Sequence, residues 1–153
     1  MRERAYRVRM TSTPIRAVCL DFDGTLAYME PSHWALYAEA ARRAGLEAAE
    51  AALASQAVDD AWAPWMTALG PVHLDASRSQ ATFRALRASL AADRIRAALP
   101  AGADAAALAE AGRIAAILEE EAARYVLFED TRPALERLAD AGVTAIIVSN
   151  HIW

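Results

Sequence analysis

Two carboxylates and a glycine directly follow an apolar run near the start of the chain. Asp21 and Asp23 come after residues 15–20, whose apolar and partly β-branched composition predicts a buried strand. Open α/β sheets bind ligands where parallel strands end, and Gly24 allows the backbone to turn sharply there. Two neighbouring carboxylates repel each other unless a cation or a proton lies between them. The pair therefore predicts a Mg²⁺ site with a carboxylate nucleophile, because aspartate can accept a phosphoryl group directly.

Residues 21–26 have the sequence DFDGTL. After an apolar strand, this string resembles the first motif of the haloacid dehalogenase superfamily of phosphohydrolases. The resemblance implies that Asp21 is the nucleophile, that Asp23 is the general acid and base, and that both hold Mg²⁺. It also implies that Gly24 and Thr25 shape the turn. The plainer alternative is a solvated turn with two surface acids. An EF-hand loop is excluded, because it needs glycine at its sixth position and glutamate at its twelfth, where this chain has Ser32.

A second apolar run, residues 143–148, predicts another buried strand. It ends at Ser149, and this order and spacing resemble the second motif of the superfamily. The resemblance implies that the Ser149 hydroxyl and the Asn150 amide bind a phosphate oxygen. It also implies an α/β fold: a doubly wound parallel core, incomplete in this chain, with an inserted α-helical bundle as a cap. The expected division is a basic tail at 1–14, core at 15–26 and 127–153, and cap at 27–126.

Helical periodicity fills the segment between the two strands. Capping residues, glycines and prolines predict four antiparallel helices, at residues 32–45, 47–62, 77–99 and 104–122. The second helix is expected to end before Pro64, because the residue before a proline disfavours helical geometry. A shorter helix is expected between a Thr131 cap and Gly142. His33 and Trp34 are expected to pack the first cap helix, with substrate contact as the alternative.

Composition narrows the class of protein. A net charge of −4 and a pI near 5.4 argue against a nucleic-acid partner, and no apolar run approaches the length of a membrane span. Cys19 is the single cysteine and lies in the first predicted strand, which suits a buried thiol in a reducing cytoplasm. The expected partner is a small phosphorylated metabolite.

The resemblance is incomplete after Asn150. The superfamily's third motif supplies a lysine or arginine and its fourth supplies acids for Mg²⁺, yet all 16 basic residues here are arginine. We therefore expect the chain to be the front part of a longer protein, inactive as a phosphatase by itself and poorly stable because its strands lack outer neighbours.

The sequence leaves three functions open. The first is a Mg²⁺-dependent phosphatase acting through an aspartyl-phosphate. Asp23 favours phosphoryl chemistry over dehalogenation, because a departing halide needs no proton. The second is a phosphomutase at full length. The third is a non-catalytic interaction module in which the aspartates are relics.

Overall fold

The computed structural model describes residues 14–76 and 78–148. In this part of the chain the fold is mixed α/β, with two two-stranded sheets. The elements, in chain order, are β1 (Ala17–Leu20), β2 (Ala27–Glu30), α1 (His33–Arg43), α2 (Glu50–Leu53), α3 (Gln56–Ala76), α4 (Gln80–Ala98), α5 (Ala105–Ala122), β3 (Arg124–Leu127), α6 (Thr131–Asp140) and β4 (Thr144–Ile147). No helix among the described residues combines the length and the apolar character needed to cross a membrane.

The two predicted strands, β1 and β4, pair in parallel with Leu20 opposite Ile147. Their faces remain exposed, however: Ile147 is 56% exposed, and the Cys19 thiol is also at the surface. The predictions of buried strands and of a buried thiol are therefore wrong for the described structure. The strands are exposed because few helices pack against this sheet: its main helical contact is that of α6 with β4.

The antiparallel pair of β2 and β3, which we call the ribbon, was not predicted. Ala27 lies opposite Leu127, and Glu30 lies opposite Arg124. The ribbon thus joins the two ends of the helical segment. A signal was present in β2, where Ala27 and Met29 are buried while the intervening side chains are exposed, as expected for a half-buried strand. The strands have only four residues each and lie far apart in sequence, so their pairing is decided by tertiary contact.

Side-chain caps fix several helix ends where the sequence placed them. The Ser32 hydroxyl accepts a hydrogen bond from the Ala35 amide at 3.1 Å, and an Asp104 carboxylate oxygen accepts one from the Ala107 amide at 2.8 Å. Gly45 follows α1 with a φ of 78°, which confirms its predicted role at the end of that helix. The start of α4 differs slightly, because Ser79 is its capping residue.

The prediction that a helix ends before Pro64 is wrong. The helix α3 runs through Pro64 and Pro71 to Ala76. An interior proline costs a helix about 3 kcal/mol, and the packing of α3 against α4 is the tertiary contact available to offset that cost. Local preference is therefore overridden by packing at this point.

The predicted second helix is instead broken into α2 and α3, next to a buried guanidinium. Arg94 is fully buried, and its Nε and Nη2 donate hydrogen bonds to the Leu53 carbonyl at 3.0 and 2.6 Å. The guanidinium lies 4.4 Å from the Trp34 ring centroid and 5.1 Å from that of Trp62. Its Nη1 is 2.6 Å from Asp59, in ion-pair contact without the direction of a hydrogen bond. Arg94 thus joins α1, the α2–α3 break and α4.

The core of the helical segment is made largely of small side chains. Alanines at positions 40, 41, 91, 111 and 115 are fully buried, together with larger residues such as Ile95. At Gly112 a Cβ atom would lie 2.2 Å from the Ala88 carbonyl oxygen and 2.9 Å from the Ala92 Cβ. The helices α4 and α5 therefore approach each other so closely that only glycine fits at position 112.

We expect Gly112→Ala to lower the free energy of unfolding by about 1–3 kcal/mol, because the added methyl must push α4 and α5 apart. Urea denaturation followed by circular dichroism measures the change. Ala109→Gly is the matched control, since Ala109 is exposed on the same helix. At position 109 the protein with alanine should be more stable than the protein with glycine by about 1 kcal/mol, because alanine has the higher helix propensity. If Gly112→Ala also made the protein more stable, the close approach of α4 and α5 would be contradicted.

Candidate active site

The carboxylate pair lies in a tight turn that begins where β1 ends. Asp21 follows Leu20 directly, is exposed, and accepts a hydrogen bond from the Phe22 amide at 2.8 Å. Asp23 is half-buried and lies within the turn. The Phe22 carbonyl accepts the amides of Leu26 and Ala27 at 2.9 and 3.0 Å. These bonds close residues 22–27 into a compact turn, and we call residues 21–27 the Asp loop.

Gly24 and Thr25 shape this loop. Gly24 has a φ of 73°, and its amide donates to the Ala27 carbonyl at 2.7 Å. The sharp turn predicted at Gly24 is thus confirmed, since other residues rarely adopt that φ. The Thr25 amide lies 3.4 Å from the Phe22 carbonyl oxygen. Both acids lie beyond the last residue of β1, so the loop, rather than strand alternation, sets the direction of their side chains.

The Asp loop is anchored to the start of α6. The Leu26 carbonyl accepts the Thr131 hydroxyl at 2.6 Å and the Phe128 amide at 3.1 Å. Thr131 is only 3% exposed, so this contact is shielded from water. The prediction that Thr131 caps α6 is wrong: Asp130 is the N-cap residue, without a side-chain bond, and the Thr131 hydroxyl binds the Asp loop instead. A buried bond therefore joins two segments 105 residues apart.

Ser149 and Asn150 lie outside the described residues, and their role in binding phosphate stays a prediction. The last described residue is Val148, whose amide donates to the Leu20 carbonyl at 2.8 Å. Leu20 is the residue immediately before Asp21, so β4 is paired with β1 up to the start of the candidate site.

Asp21, through its carboxylate, and Asp23, through its backbone carbonyl, are the groups of this turn that could hold a metal ion. Carboxylate oxygens are the ligands that Mg²⁺ prefers, and Mg²⁺ is often held by one or two carboxylates together with water and substrate phosphate. Within residues 14–76 and 78–148 no group of three or more histidine, cysteine or acidic side chains forms a metal cluster. The chemistry of the donor set thus fits Mg²⁺ held through two protein residues.

The helical segment contains a buried carboxylate that was not predicted from the sequence. Glu119 of α5 is 8% exposed. One of its oxygens lies 2.8 Å from His33 Nδ1 and 3.1 Å from the Tyr37 hydroxyl, and the other accepts the Arg87 Nε at 2.8 Å. An ionised carboxylate only accepts hydrogen bonds, so the His33 proton in this pair is on Nδ1. We call these four residues the Glu119 cluster; it joins α1, α4 and α5.

The charges of the cluster stabilise one another. Burial by itself would raise the pKa of Glu119, but the His33 hydrogen bond and the Arg87 charge outweigh it, so the pKa lies below its ordinary value. Burial likewise opposes the charged form of Arg87, yet Glu119 keeps the Arg87 pKa raised. Burial, and then the negative charge of Glu119, raises the pKa of Tyr37. Glu119 and Arg87 are therefore held as an ion pair.

An open cleft of about 460 Å³ lies between this cluster and the ribbon. Its lining includes Arg87, Glu119, Met29 and Tyr125. The Tyr125 ring contacts Phe22 edge-on, with 5.0 Å between centroids. Burial raises the Tyr125 pKa first, and the Asp23 charge raises it further. Since Phe22 lies between the two aspartates in sequence, the cleft is next to the Asp loop.

One sequence signal points to two members of the Glu119 cluster without identifying their partners: a charged residue on an otherwise apolar helix face. Arg87 is four residues after Phe83, and Glu119 is four residues after Ala115. His33 and Trp34, in turn, pack within the helical segment, as expected. His33 pairs with Glu119, and the Trp34 ring meets Tyr37 edge-on, with 6.0 Å between centroids. The sequence did not identify their partners, which are distant along the chain.

The described structure thus combines a parallel strand pair that ends in an acidic loop with a largely helical segment, a mixed α/β arrangement. The sequence model of haloacid dehalogenase-like hydrolases matches residues 15–151, nearly the whole chain. The chain belongs to this family of hydrolases, which confirms the resemblance and the fold class predicted from the sequence. Comparison with curated proteins gives no match, and comparison with solved structures gives none either.

We expect Glu119→Gln to lower the free energy of unfolding at pH 7 by about 2 kcal/mol or more, because it leaves Arg87 without its buried counter-charge. The pH dependence should also change. The folded pKa of Glu119 is below its ordinary value of 4.5, so its contribution is complete above that pH and is lost as pH falls below it. The wild-type protein should thus lose more stability than the variant between pH 5 and 3.

Denaturation at several pH values measures both effects. The control is Glu120→Gln, which removes a neighbouring carboxylate paired with Arg84 at the surface. Exposed ion pairs contribute roughly 0–1 kcal/mol, so this variant should stay close to wild type. Equal losses of unfolding free energy in the two variants would show that Glu119 contributes no more to stability than a surface acid.

Proposed function

We propose that the protein is a phosphatase that hydrolyses a small phosphomonoester through an aspartyl-phosphate, with Mg²⁺ as cofactor. Membership of the hydrolase family supports the reaction class. The single observation that carries the finer proposal is the carboxylate pair in the loop directly after β1. Asp21 is exposed and can meet a substrate, while Asp23 is half-buried beside an aromatic wall.

The two aspartates have successive roles in this proposal. An Asp21 oxygen attacks phosphorus while the bond from phosphorus to the alcohol oxygen breaks, and Asp23 donates a proton to that oxygen. Asp23 then removes a proton from water, the water oxygen attacks the aspartyl-phosphate, and the bond to Asp21 breaks. Free phosphate and the original carboxylates result, so atoms and protons balance.

Asp21 and Asp23 are the residues that would hold Mg²⁺, which would shield the charge between nucleophile and phosphate. We assign the Ser149 hydroxyl and the Asn150 amide to the phosphate oxygens, on the resemblance alone. Residues 27–126 would form the cap, and residues 15–26 with the segment from 127 onward would form the core. The ribbon supports this division, because it pairs the start and the end of the helical segment. We place the enzyme in the cytoplasm, acting on a small phosphorylated metabolite.

We expect Asp21→Asn to abolish turnover, because an amide cannot become the acyl-phosphate nucleophile. The measurement is the Mg²⁺-dependent release of phosphate from 4-nitrophenyl phosphate by the full-length product of the gene. Asp130→Asn is the control, since Asp130 is an exposed acid at the start of α6. An Asp21→Asn enzyme that keeps most of its activity would remove Asp21 from the proposal.

We expect Asp23→Asn to lower kcat by roughly 10²–10⁴, the usual effect of losing a general acid and base. The loss should be smaller for 4-nitrophenyl phosphate than for an alkyl phosphate, because nitrophenolate leaves with little need of a proton. Mg²⁺ binding, followed by titration calorimetry, should persist, since the expected metal contact at this position is the backbone carbonyl. Equal losses with both substrates would argue against acid catalysis by Asp23.

A further inference from the structure

The cleft beside the Asp loop has the composition of a site for the organic part of a substrate. Its volume of about 460 Å³ is within the usual range for small-molecule sites. Met29 and Phe83 provide apolar walls, and Tyr125 provides an aromatic edge. Tyr125 also contacts the ring of Phe22, the residue between Asp21 and Asp23 in the sequence. A phosphate ester bound at Asp21 would thus have its alcohol portion next to the cleft.

Arg87 is the basic group among the described residues that line the cleft, whose polar lining also includes the uncharged amide of Gln80. The Arg87 side chain is 22% exposed, whereas that of Glu119 is 4% exposed. Its Nε and Nη2 both approach the same Glu119 oxygen, at 2.8 and 2.7 Å, and the guanidinium carbon is 5.7 Å from the Phe83 ring centroid. Among residues 14–76 and 78–148, the structure gives Arg87 Nη1 no hydrogen-bond partner. The guanidinium is therefore held by one edge and retains N–H donors on the other.

The charge of this group is already balanced. One Glu119 oxygen faces Arg87, while the other is occupied by His33 and Tyr37. The second acid of the cleft, Glu120, is paired with Arg84. Among the described residues, a ligand in the cleft thus meets the N–H donors of Arg87 without a net positive charge, and acids that are already paired with arginines. Such a site suits an uncharged oxygen acceptor, whereas a second anion would lack an uncompensated cation.

We propose that this cleft binds the alcohol portion of the substrate and that Arg87 donates a hydrogen bond to an uncharged hydroxyl or carbonyl oxygen on it. This inference rests on the proposed phosphatase function for the position of the phosphate. It narrows the substrate class to phosphate monoesters of small, uncharged, oxygen-bearing alcohols with some apolar surface. Glu119 is a positioning residue, because it holds the guanidinium, and His33 and Tyr37 in turn hold Glu119.

The test compares three phosphate esters in the Asp21→Asn background, in which no turnover disturbs binding. Phenyl phosphate has no acceptor beyond its phosphate, glycerol 3-phosphate has uncharged hydroxyls, and 3-phosphoglycerate has a carboxylate. Titration calorimetry on the full-length product of the gene, with Mg²⁺ present, gives each Kd. We expect Arg87→Lys to raise the Kd of glycerol 3-phosphate by about 3- to 10-fold, because one hydrogen bond is lost. The Kd of phenyl phosphate should change by less than about twofold.

The variants are chosen so that folding does not decide the outcome. Arg87→Lys keeps a positive charge beside Glu119 but loses the forked geometry that leaves one edge of the guanidinium open. The double variant Arg87→Gln with Glu119→Gln removes both charges together and should show the same selective loss. Arg84→Lys is the matched control, because Arg84 lies one helical turn away in a surface ion pair. This variant should leave the Kd of all three esters unchanged. Thermal unfolding confirms that each variant is folded.

Each result decides the proposal. Weaker binding of glycerol 3-phosphate, but not of phenyl phosphate, in both Arg87 variants supports the proposal. Equal changes in the Kd of the two esters, or no change in either, overturn it. Tightest binding of 3-phosphoglycerate with the largest loss in Arg87→Lys also overturns it, because Arg87 would then bind an anion. Failure of the wild-type product to hydrolyse any ester would refute the proposed function separately, while the binding comparison would still decide the role of Arg87.

Discussion

The helical segment depends on one buried carboxylate. Glu119 receives hydrogen bonds from α1 and α4 while belonging to α5, so a single side chain joins three helices. An isolated carboxylate at this depth would favour its neutral form. His33 and Arg87 together reverse that preference and lower the pKa of Glu119, because they offer directed donors and a positive charge. The packing of these helices and the ionisation of Glu119 therefore require each other.

Small side chains make this arrangement possible. Much of the core between α1, α4 and α5 is alanine, and Gly112 allows α5 to approach the backbone of α4. Close helices bring Arg87 and Glu119 within hydrogen-bonding distance across their interface. A second pair, Arg84 with Glu120, lies alongside at the surface. The inner pair is shielded from solvent and the outer one is not, so the same two residue types have different energetic weight.

The candidate active site is built from contacts between distant parts of the chain. The Asp loop is closed by its own backbone bonds, but its end is held by Thr131 and its aromatic residue meets the ribbon at Tyr125. The ribbon also begins and ends the helical segment, so it is the structural link between the aspartates and the Glu119 cluster. This link explains how a cleft lined by residues of the helical segment and the ribbon lies next to the proposed catalytic acids.

The sequence by itself determined the local features. The strands β1 and β4, the turn at Gly24 and the caps at Ser32 and Asp104 depend on neighbouring residues, and each was predicted. Family membership followed from a string of six residues. These features are readable because short-range sterics and hydrogen bonds fix them, whatever surrounds them.

Only the tertiary structure decided the rest. The ribbon, the passage of α3 through Pro64, the Thr131 bond to Leu26 and the Glu119 cluster all join residues far apart along the chain or depend on packing. A charged residue such as Arg87 looks like a solvated surface residue in the sequence, because its burial depends on which helix lies opposite. The aspartates could thus be named from the sequence, whereas the cleft beside them required the fold.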